Sequence, residues 1–231
     1  MTTFALVHGA WHGAWSWDRL MPELAAAGHR VVAVDLPCED VSAGCREYAE
    51  LVLQRLLDTA DEDLVLVGHS AGGLTIPLIA AATPVTRMVF VSALLPRPGE
   101  RFADQNAREG ILLGEYQAGV ELDAAGRRRW FDPDLARRTM YSHCSDADAT
   151  WAFARLRAQA STMYLEPSPL VRWPDVPVID VRGDDDRLVS PRWAAAAVPA
   201  RLGVSPIVLP GAGHTLIVSH APQLADILLG R

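Results

Sequence analysis

The chain has 231 residues, half of them apolar, and a formal net charge of −7. A chain of this length and composition can bury one sizeable core, and its charges are not segregated into tails, which argues against disorder. The acidic balance disfavours nucleic acid and anionic membranes as partners. Its apolar runs all fall short of the ~20 residues that a membrane-spanning helix needs.

The cysteines and the first residues of the chain are used to predict the cellular compartment of the protein. Cys38, Cys45 and Cys144 are an odd number without the spacing of a disulfide framework, and the uncharged start of the chain leads into the first strand without a signal-peptide pattern. We therefore expect a cytoplasmic protein. Lysine is absent from the sequence, which excludes Schiff-base chemistry on a lysine and a lysine general base.

Strand and helix patterns alternate along the chain. The first strand is predicted at Phe4–His8, and a helical stretch after it stops at Gly28. Further apolar strands are predicted at 31–34, 64–67, 87–94, 177–181 and 206–209, with helices at 47–58, directly after residue 72, and at 223–229. Strands separated by helices predict a parallel sheet with helices on both faces.

Residues 96–169 interrupt this alternation, because they carry helix-like pieces at 135–141 and 146–160 and no strand signal. Ser145 or Asp146 is available as the N-cap of the second piece. An insertion at this point would cover the carboxyl ends of the strands, where open α/β sheets bind ligands. We predict one domain over 1–231, with a core of 1–95 and 170–231 and a helical cap of 96–169.

Two clusters in the insertion have a structural interpretation. Arg127–Arg129, beside Trp130, resembles a phosphate site, but in an acidic chain the pattern favours a solvated helix face. His143–Cys144 with Asp146 and Asp148 has metal-ligand residue types, but the pattern favours the start of a helix. No metal and no organic cofactor is expected.

The sequence Gly68-His69-Ser70-Ala71-Gly72 follows an apolar strand and precedes an apolar, alanine-rich run. This is the G-x-S-x-G nucleophile-elbow pattern in its strand–turn–helix context. It predicts that Ser70 is held in a strained turn with its hydroxyl facing a cleft and backbone N–H groups beneath it. A glycine-rich structural turn with an idle serine is the alternative.

A serine nucleophile needs a base and a group that orients the base. His214 follows the last strand in a glycine-rich loop and is the predicted base, although such a histidine can also be a loop residue satisfied by water or backbone. The acid should follow an earlier strand. Asp180 lies inside that strand and is assigned a structural role. The sequence pattern alone leaves Asp184, Asp185 and Asp186 as alternative candidates for the acid.

With these motifs the chain resembles the α/β-hydrolase family, in the branch of plant methylesterases, hydroxynitrile lyases and many bacterial esterases. The resemblance covers both ends of the chain and fades in the insertion. It implies the α/β-hydrolase fold with about six parallel strands, because the first two strands of the full family sheet are missing. It is carried by VHGAWHGAWSW at 7–17, AAGHRVVAVDLP at 26–37, VGHSAGG at 67–73, GDDDRLV at 183–189 and GAGHTLIVSHAPQLA at 211–225.

The resemblance also implies roles. The family acid stands three residues after the loop glycine, which is Asp186 here, and the family oxyanion hole corresponds to the amides of Ala10 and Ala71. Related hydroxynitrile lyases carry a lysine and a threonine where this chain has Thr215 and Gly9, which disfavours lyase activity.

These observations predict a serine hydrolase that cleaves a carboxylic ester of a small to medium apolar substrate through an acyl-enzyme. Trp11, His12 and Leu188 adjoin the motifs and are predicted to line the substrate pocket. The alternatives are a thioesterase or lactonase with the same three residues, and a non-catalytic small-molecule receptor on the same fold.

Overall fold

The computed structural model describes residues 1–57 and 63–231. The strands are β1 (Thr2–Val7), β2 (Arg30–Ala33), β3 (Asp63–His69), β4 (Arg87–Val91), β5 (Val120–Leu122), β6 (Arg128–Trp130), β7 (Val178–Gly183) and β8 (Ile207–Leu209). Six of them form one sheet in the order β2-β1-β3-β4-β7-β8, in which all neighbours are parallel. The predicted parallel sheet is confirmed.

The helices connect these strands. Their bounds are α1 (Met21–Ala26), α2 (Cys45–Arg55), α3 (Ile76–Ala82), α4 (Phe102–Glu109), α5 (Pro133–Thr139), α6 (Asp146–Phe153), α7 (Thr162–Leu165), α8 (Pro191–Leu202), α9 (Leu216–Ser219) and α10 (Ala221–Leu229). The helix predicted at 47–58 corresponds to α2, and its last predicted residue lies outside the described residues. Every helix in the described part of the chain is too short or too polar to span a bilayer.

The strand order reverses beside β1, since β2 lies on one side of it and β3 on the other. Right-handed crossovers therefore place α1 and α2 on opposite faces of the sheet. Open α/β sheets bind ligands at the carboxyl ends of strands where the order reverses. The turns that follow β1 and β3 are consequently the expected position of a site, and one of them contains Ser70.

The central strands are buried almost completely. The residues from Met88 to Val91 on β4 and Leu66 and Val67 on β3 have no exposed surface. Strands of a parallel sheet covered on both faces are apolar at consecutive positions rather than at alternate ones, and this is the pattern seen here. The rigid sheet therefore fixes where the loops at its carboxyl edge begin.

The cap differs from the prediction of a purely helical insertion. β5 and β6 pair in antiparallel register, Val120 opposite Trp130 and Leu122 opposite Arg128. Arg127–Arg129 therefore belongs to a hairpin, and the helix-face interpretation is wrong. Each strand is only three residues long and carries charged side chains, so the apolar alternation that identifies strands is missing.

The two predicted helices of the cap have different bounds in the structure: one is shorter and the other is shifted. The piece predicted at 146–160 is α6, which ends at Phe153. Ser145 is its N-cap, because its hydroxyl accepts a hydrogen bond of 3.1 Å from the Asp148 amide. The piece predicted at 135–141 is α5, which begins two residues earlier behind the N-cap Asp132.

Gly72 allows the turn after β3 to pass close beneath β1. A Cβ at this position would collide with the backbone carbonyl oxygens of Val7 and His8, whereas a Cβ at Gly114 would have nothing within 4 Å.

Gly72→Ala is expected to reduce the free energy of unfolding by about 2–3 kcal/mol, as overpacking of a rigid backbone does. Gly114→Ala, the matched control, should change it by less than about 1 kcal/mol. Urea unfolding of both variants measures the difference, and equal effects would show that the close approach is not rigid.

Candidate active site

Ser70 occupies the turn directly after β3. Its backbone φ is 51°, in the left-handed region that non-glycine residues rarely adopt, so the predicted strained turn is confirmed. A Cβ at Gly68 would approach the Gly72 carbonyl oxygen to 3.0 Å, which explains the small residue before the turn. The chain continues as a 3-10 helix over Ser70–Leu74, and α3 begins at Ile76 rather than directly after the turn.

His214 reaches Ser70 from the loop after β8. Its Nε2 atom lies 3.0 Å from the Ser70 Oγ, and both side chains are buried. His69 holds the backbone of this loop, since its Nε2 atom lies 3.1 Å from the His214 backbone oxygen. The neighbouring His69 therefore points away from the serine hydroxyl and supports the loop of the other histidine.

Asp186 completes a chain of three side chains. Its Oδ2 atom lies 2.9 Å from Nδ1 of His214, on the opposite side of the ring from the serine. Its Oδ1 atom accepts hydrogen bonds of 2.8 Å from the amides of Leu188 and Val189. The two amides hold the carboxylate in the orientation that meets the imidazole.

The other aspartates near this loop have different partners. Asp184 accepts a hydrogen bond of 2.8 Å from the Gly211 amide, and Asp185 pairs with Arg187 at 2.9 Å. Asp180 is buried within β7 and forms two hydrogen bonds of 2.7 Å with the guanidinium of Arg182. The geometry thus separates the aspartates that spacing alone left as alternatives.

The loop after β1 is braced by His8, a residue that sequence analysis did not single out. One ring nitrogen of His8 lies 2.8 Å from the Gly9 carbonyl oxygen, and the other accepts a hydrogen bond of 3.0 Å from the Leu36 amide. The Gly9 carbonyl and the Ala10 N–H belong to one planar peptide and point in opposite directions. The His8 ring therefore fixes where the Ala10 N–H points. Neither spacing nor composition identifies such a bracing histidine.

His12 points into the protein beneath the cap, although it was predicted to line the pocket. Its Nδ1 atom lies 2.7 Å from the Ala10 carbonyl oxygen, and its Nε2 atom lies 3.1 Å from the Tyr141 hydroxyl. Both ring nitrogens are thus engaged by groups of the protein. With His8, this ring holds the two peptides on either side of Ala10.

Trp11 and Leu188 line a cavity of about 490 Å³ between the sheet and the cap. Ser70, Ala10 and Ala71 lie at its floor, so the hydroxyl and the two residues predicted to form an oxyanion hole face one space. The walls are mostly apolar and aromatic. Cap residues supply most of them, among them Phe102, Ala103, Leu112, Tyr116, Leu122, Tyr164 and Leu165.

The residues His143 to Asp148, considered above as a metal cluster, lie outside this cavity. The ring of His143 is 2.8 Å from Asp185, Cys144 is buried, and Ser145 and Asp148 cap α6. Within residues 1–57 and 63–231, no group of three histidine, cysteine or acidic side chains is arranged to hold a metal ion.

Comparison with known proteins gives the family. Residues 4–227 match the sequence pattern of the family described as "Alpha/beta hydrolase family". The chain belongs to the α/β-hydrolase family. A solved structure of the methylesterase MES16 from Arabidopsis superposes with a TM-score of 0.82 at 22% identity, covering 100% of this chain and 98% of that one. This likeness supports the same fold.

Curated relatives of this α/β-hydrolase include esterases. Methylesterase 2 from Arabidopsis thaliana is 35% identical over 156 residues, which are 60% of this chain and 59% of the relative. Esterase PIR7B from Oryza sativa subsp. japonica is 29% identical over 98% of this chain and 94% of its own length. The match to the first of these relatives thus spans about three fifths of that protein.

The buried histidines give the protein a pH-dependent stability. Burial lowers the pKa of His8 from 6.5 to about 4 and that of His12 from 6.5 to about 3. Between these values and 6.5 the unfolded chain binds more protons than the folded chain, so the free energy of unfolding falls as the pH is lowered through this window. Above pH 7 these two rings are neutral in both states, so they should add no pH dependence to the free energy of unfolding.

Urea unfolding between pH 3.5 and 8 measures this dependence. His8→Gln keeps one donor and one acceptor but does not titrate, and it should flatten the part of the curve between pH 6.5 and 4. His220 is only half-buried, and burial lowers its pKa in the same direction, so His220→Gln should flatten the curve less than His8→Gln does. A wild-type stability that is constant from pH 7 to 4 would contradict neutral burial of these rings.

Proposed function

We propose that this α/β-hydrolase is a carboxylic ester hydrolase with Ser70 as nucleophile, His214 as base and Asp186 as the group that orients the base. The observation that carries the proposal is the position of the imidazole, with its nitrogens 3.0 Å from the serine oxygen and 2.9 Å from the carboxylate. A nucleophile, a base and an orienting acid in hydrogen-bond contact are what acyl transfer requires.

The reaction would proceed in two halves. Ser70 Oγ attacks the ester carbonyl carbon while its proton passes to Nε2 of His214, and the carbonyl oxygen becomes an oxyanion. The amides of Ala10 and Ala71 donate to that oxygen, and each such donor contributes about 10²–10³ in rate. The C–O bond then breaks and the imidazolium gives its proton to the leaving alcohol. Water, deprotonated by the same imidazole, attacks the acyl-enzyme and releases the acid.

Asp186 stabilises this cycle electrostatically. Its carboxylate accepts from Nδ1–H of His214, so the tautomer with a free Nε2 lone pair faces the serine. The same contact stabilises the ring once it has become an imidazolium. The two backbone amides that hold the carboxylate keep it from rotating away as charge develops.

The cavity and the relatives support an ester as the substrate. The curated relatives include proteins named methylesterase and esterase, and a cavity of about 490 Å³ with mostly apolar walls fits a small to medium, largely apolar molecule. The cytoplasmic location stays a prediction, and three free, buried cysteines are compatible with it.

Removal of the nucleophile distinguishes an enzyme from a receptor. The wild-type protein should release a burst of p-nitrophenol from p-nitrophenyl acetate, and a fluorophosphonate probe should label it at Ser70. Ser70→Ala should abolish both the burst and the labelling. The variant protein should still bind product-like ligands. Unchanged hydrolysis by Ser70→Ala would exclude the proposed mechanism.

The role of the acid is tested by three asparagine substitutions. Asp186→Asn should lower kcat by about 10⁴-fold, because the amide favours the wrong tautomer of the base. Asp184→Asn and Asp185→Asn are matched controls, since their carboxylates bind Gly211 and Arg187 instead of the imidazole. They should retain kcat within about tenfold of the wild type, a change of ~1.4 kcal/mol in the barrier. Similar losses in all three variants would refute the assignment.

A further inference from the structure

The three arginines of the cap hairpin have different surroundings. Arg127 pairs with Asp123 at 2.7 Å, and Arg129 is exposed to solvent. Arg128, between them, lines the cavity above Ser70. Successive side chains of a strand point to opposite faces, so Arg128 shares its face with Trp130 rather than with Arg129. One positive charge of this cluster is thereby directed into the proposed substrate cavity.

The backbone of Arg128 is held firmly. Its N–H donates to the Gln159 carbonyl oxygen at 2.8 Å, and its own carbonyl accepts from the Gln159 amide at 2.9 Å. The same carbonyl accepts from the indole N–H of Trp11 at 3.1 Å. Trp11 and Trp130 pack edge to face with ring centroids 5.9 Å apart. These contacts fix the register of β6 and hence the side of the hairpin from which the guanidinium extends.

The guanidinium of Arg128 lacks a counter-charge. Within the described part of the chain it has no ion pair and no side-chain hydrogen bond, and the described residues that line the cavity include neither aspartate nor glutamate. Two tyrosines lie near it. Burial raises the pKa of Tyr116 and Tyr164, and the positive charge of Arg128 works in the opposite direction on both. The cavity therefore has a cationic end bordered by phenol rings, in a chain whose net charge is −7.

An unpaired cation in a partly enclosed cavity loses hydration without a partner in the protein, and an arginine fork matches the geometry of a carboxylate. We infer that the ester substrate carries a second, ionised carboxylate, which Arg128 binds while Ser70 attacks the ester carbonyl. This inference rests on the proposed ester hydrolase activity and narrows it to a substrate with a largely apolar body and one anionic end. The carboxylate stays bound throughout the reaction, so its recognition should appear mainly in KM.

Two sets of chromogenic or phenolic ester pairs test the inference, one set for each side of the ester bond. On the acyl side, p-nitrophenyl hemisuccinate, hemiglutarate and hemiadipate are compared with the p-nitrophenyl esters of the corresponding monoamides. On the alcohol side, 4-carboxyphenyl acetate is compared with 4-carbamoylphenyl acetate. Each pair has nearly the same shape and differs in charge. The measured quantity is the ratio of kcat/KM for the carboxylate to that for the carboxamide, after correction for spontaneous hydrolysis.

In the wild type at least one pair should give a ratio of roughly ten or more, as expected for a charge-assisted hydrogen bond. Arg128→Gln should bring that ratio close to one, mostly by raising KM for the carboxylate esters. Arg129→Gln removes the same charge from the opposite face of the same strand and should keep the wild-type ratio. Raising the ionic strength should lower the ratio for the wild type and leave it unchanged for Arg128→Gln.

The outcomes separate this inference from the proposed function. Ratios near one for every pair in the wild type, or an equal loss of preference in the Arg128 and Arg129 variants, would overturn the carboxylate assignment, although hydrolysis of the carboxamide esters would still support the esterase. Turnover that persists in Ser70→Ala would overturn the proposed function instead. Thermal unfolding of Arg128→Gln, compared with Arg129→Gln, shows whether a loss of preference comes from a misfolded cap.

Discussion

The close approach of two backbone turns is the constraint on which the site depends. The turn after β3 passes directly beneath the end of β1, where Gly72 faces the carbonyl oxygens of Val7 and His8, and a Cβ at Gly9 would lie 2.8 Å from the Cβ of Ser70. Only at this spacing can the proposed nucleophile of one turn and a peptide N–H of the other reach the same substrate carbonyl group, one at its carbon and the other at its oxygen. The reversal of strand order beside β1 makes these two turns neighbours.

Buried polar side chains keep this arrangement rigid. Neutral histidines hold the peptides on either side of Ala10, and His69 holds the backbone of His214. A buried polar group without a partner is costly, so each of these hydrogen bonds favours one backbone conformation over its alternatives. An electrostatic site works best when its donors are in place before the reaction begins. In the proposed reaction the histidines would contribute to that preorganisation, although they do not line the cavity themselves.

Sequence analysis predicted the sheet, the strained turn at Ser70 and the loop of the predicted base, because each of these has a local pattern in the chain. Among the three consecutive aspartates it needed the family resemblance, since the choice depends on which carboxylate meets two backbone amides and an imidazole across the fold. The bracing role of His8 was missed because its partner Leu36 lies far along the chain, in the loop after β2.

The cap was the least predictable part. The hairpin strands β5 and β6 are too short and too charged for an apolar alternation, and their pairing depends on contacts with Gln159 far along the chain. Helix α8, in the core and outside the cap, was also not predicted, because it lacks a strong apolar stripe. Its signals are the N-cap Ser190, whose hydroxyl accepts from the Trp193 amide, and Gly203 at its end. These are capping signals, which sequence analysis did not weigh in this stretch.

The bonds between the cap and the loop after β1 have a mechanical consequence. The Arg157 amide donates to the Trp11 carbonyl at 2.7 Å, and the Gln159 side chain accepts from the Trp11 amide at 3.4 Å. Trp11 directly follows Ala10 in the chain and has a strained φ of 64°. A cap that swung outward as a unit would pull on this tryptophan and disturb the peptide next to it. Entry to the cavity and the position of the proposed oxyanion donors are therefore mechanically linked, and an open cap would slow the proposed reaction.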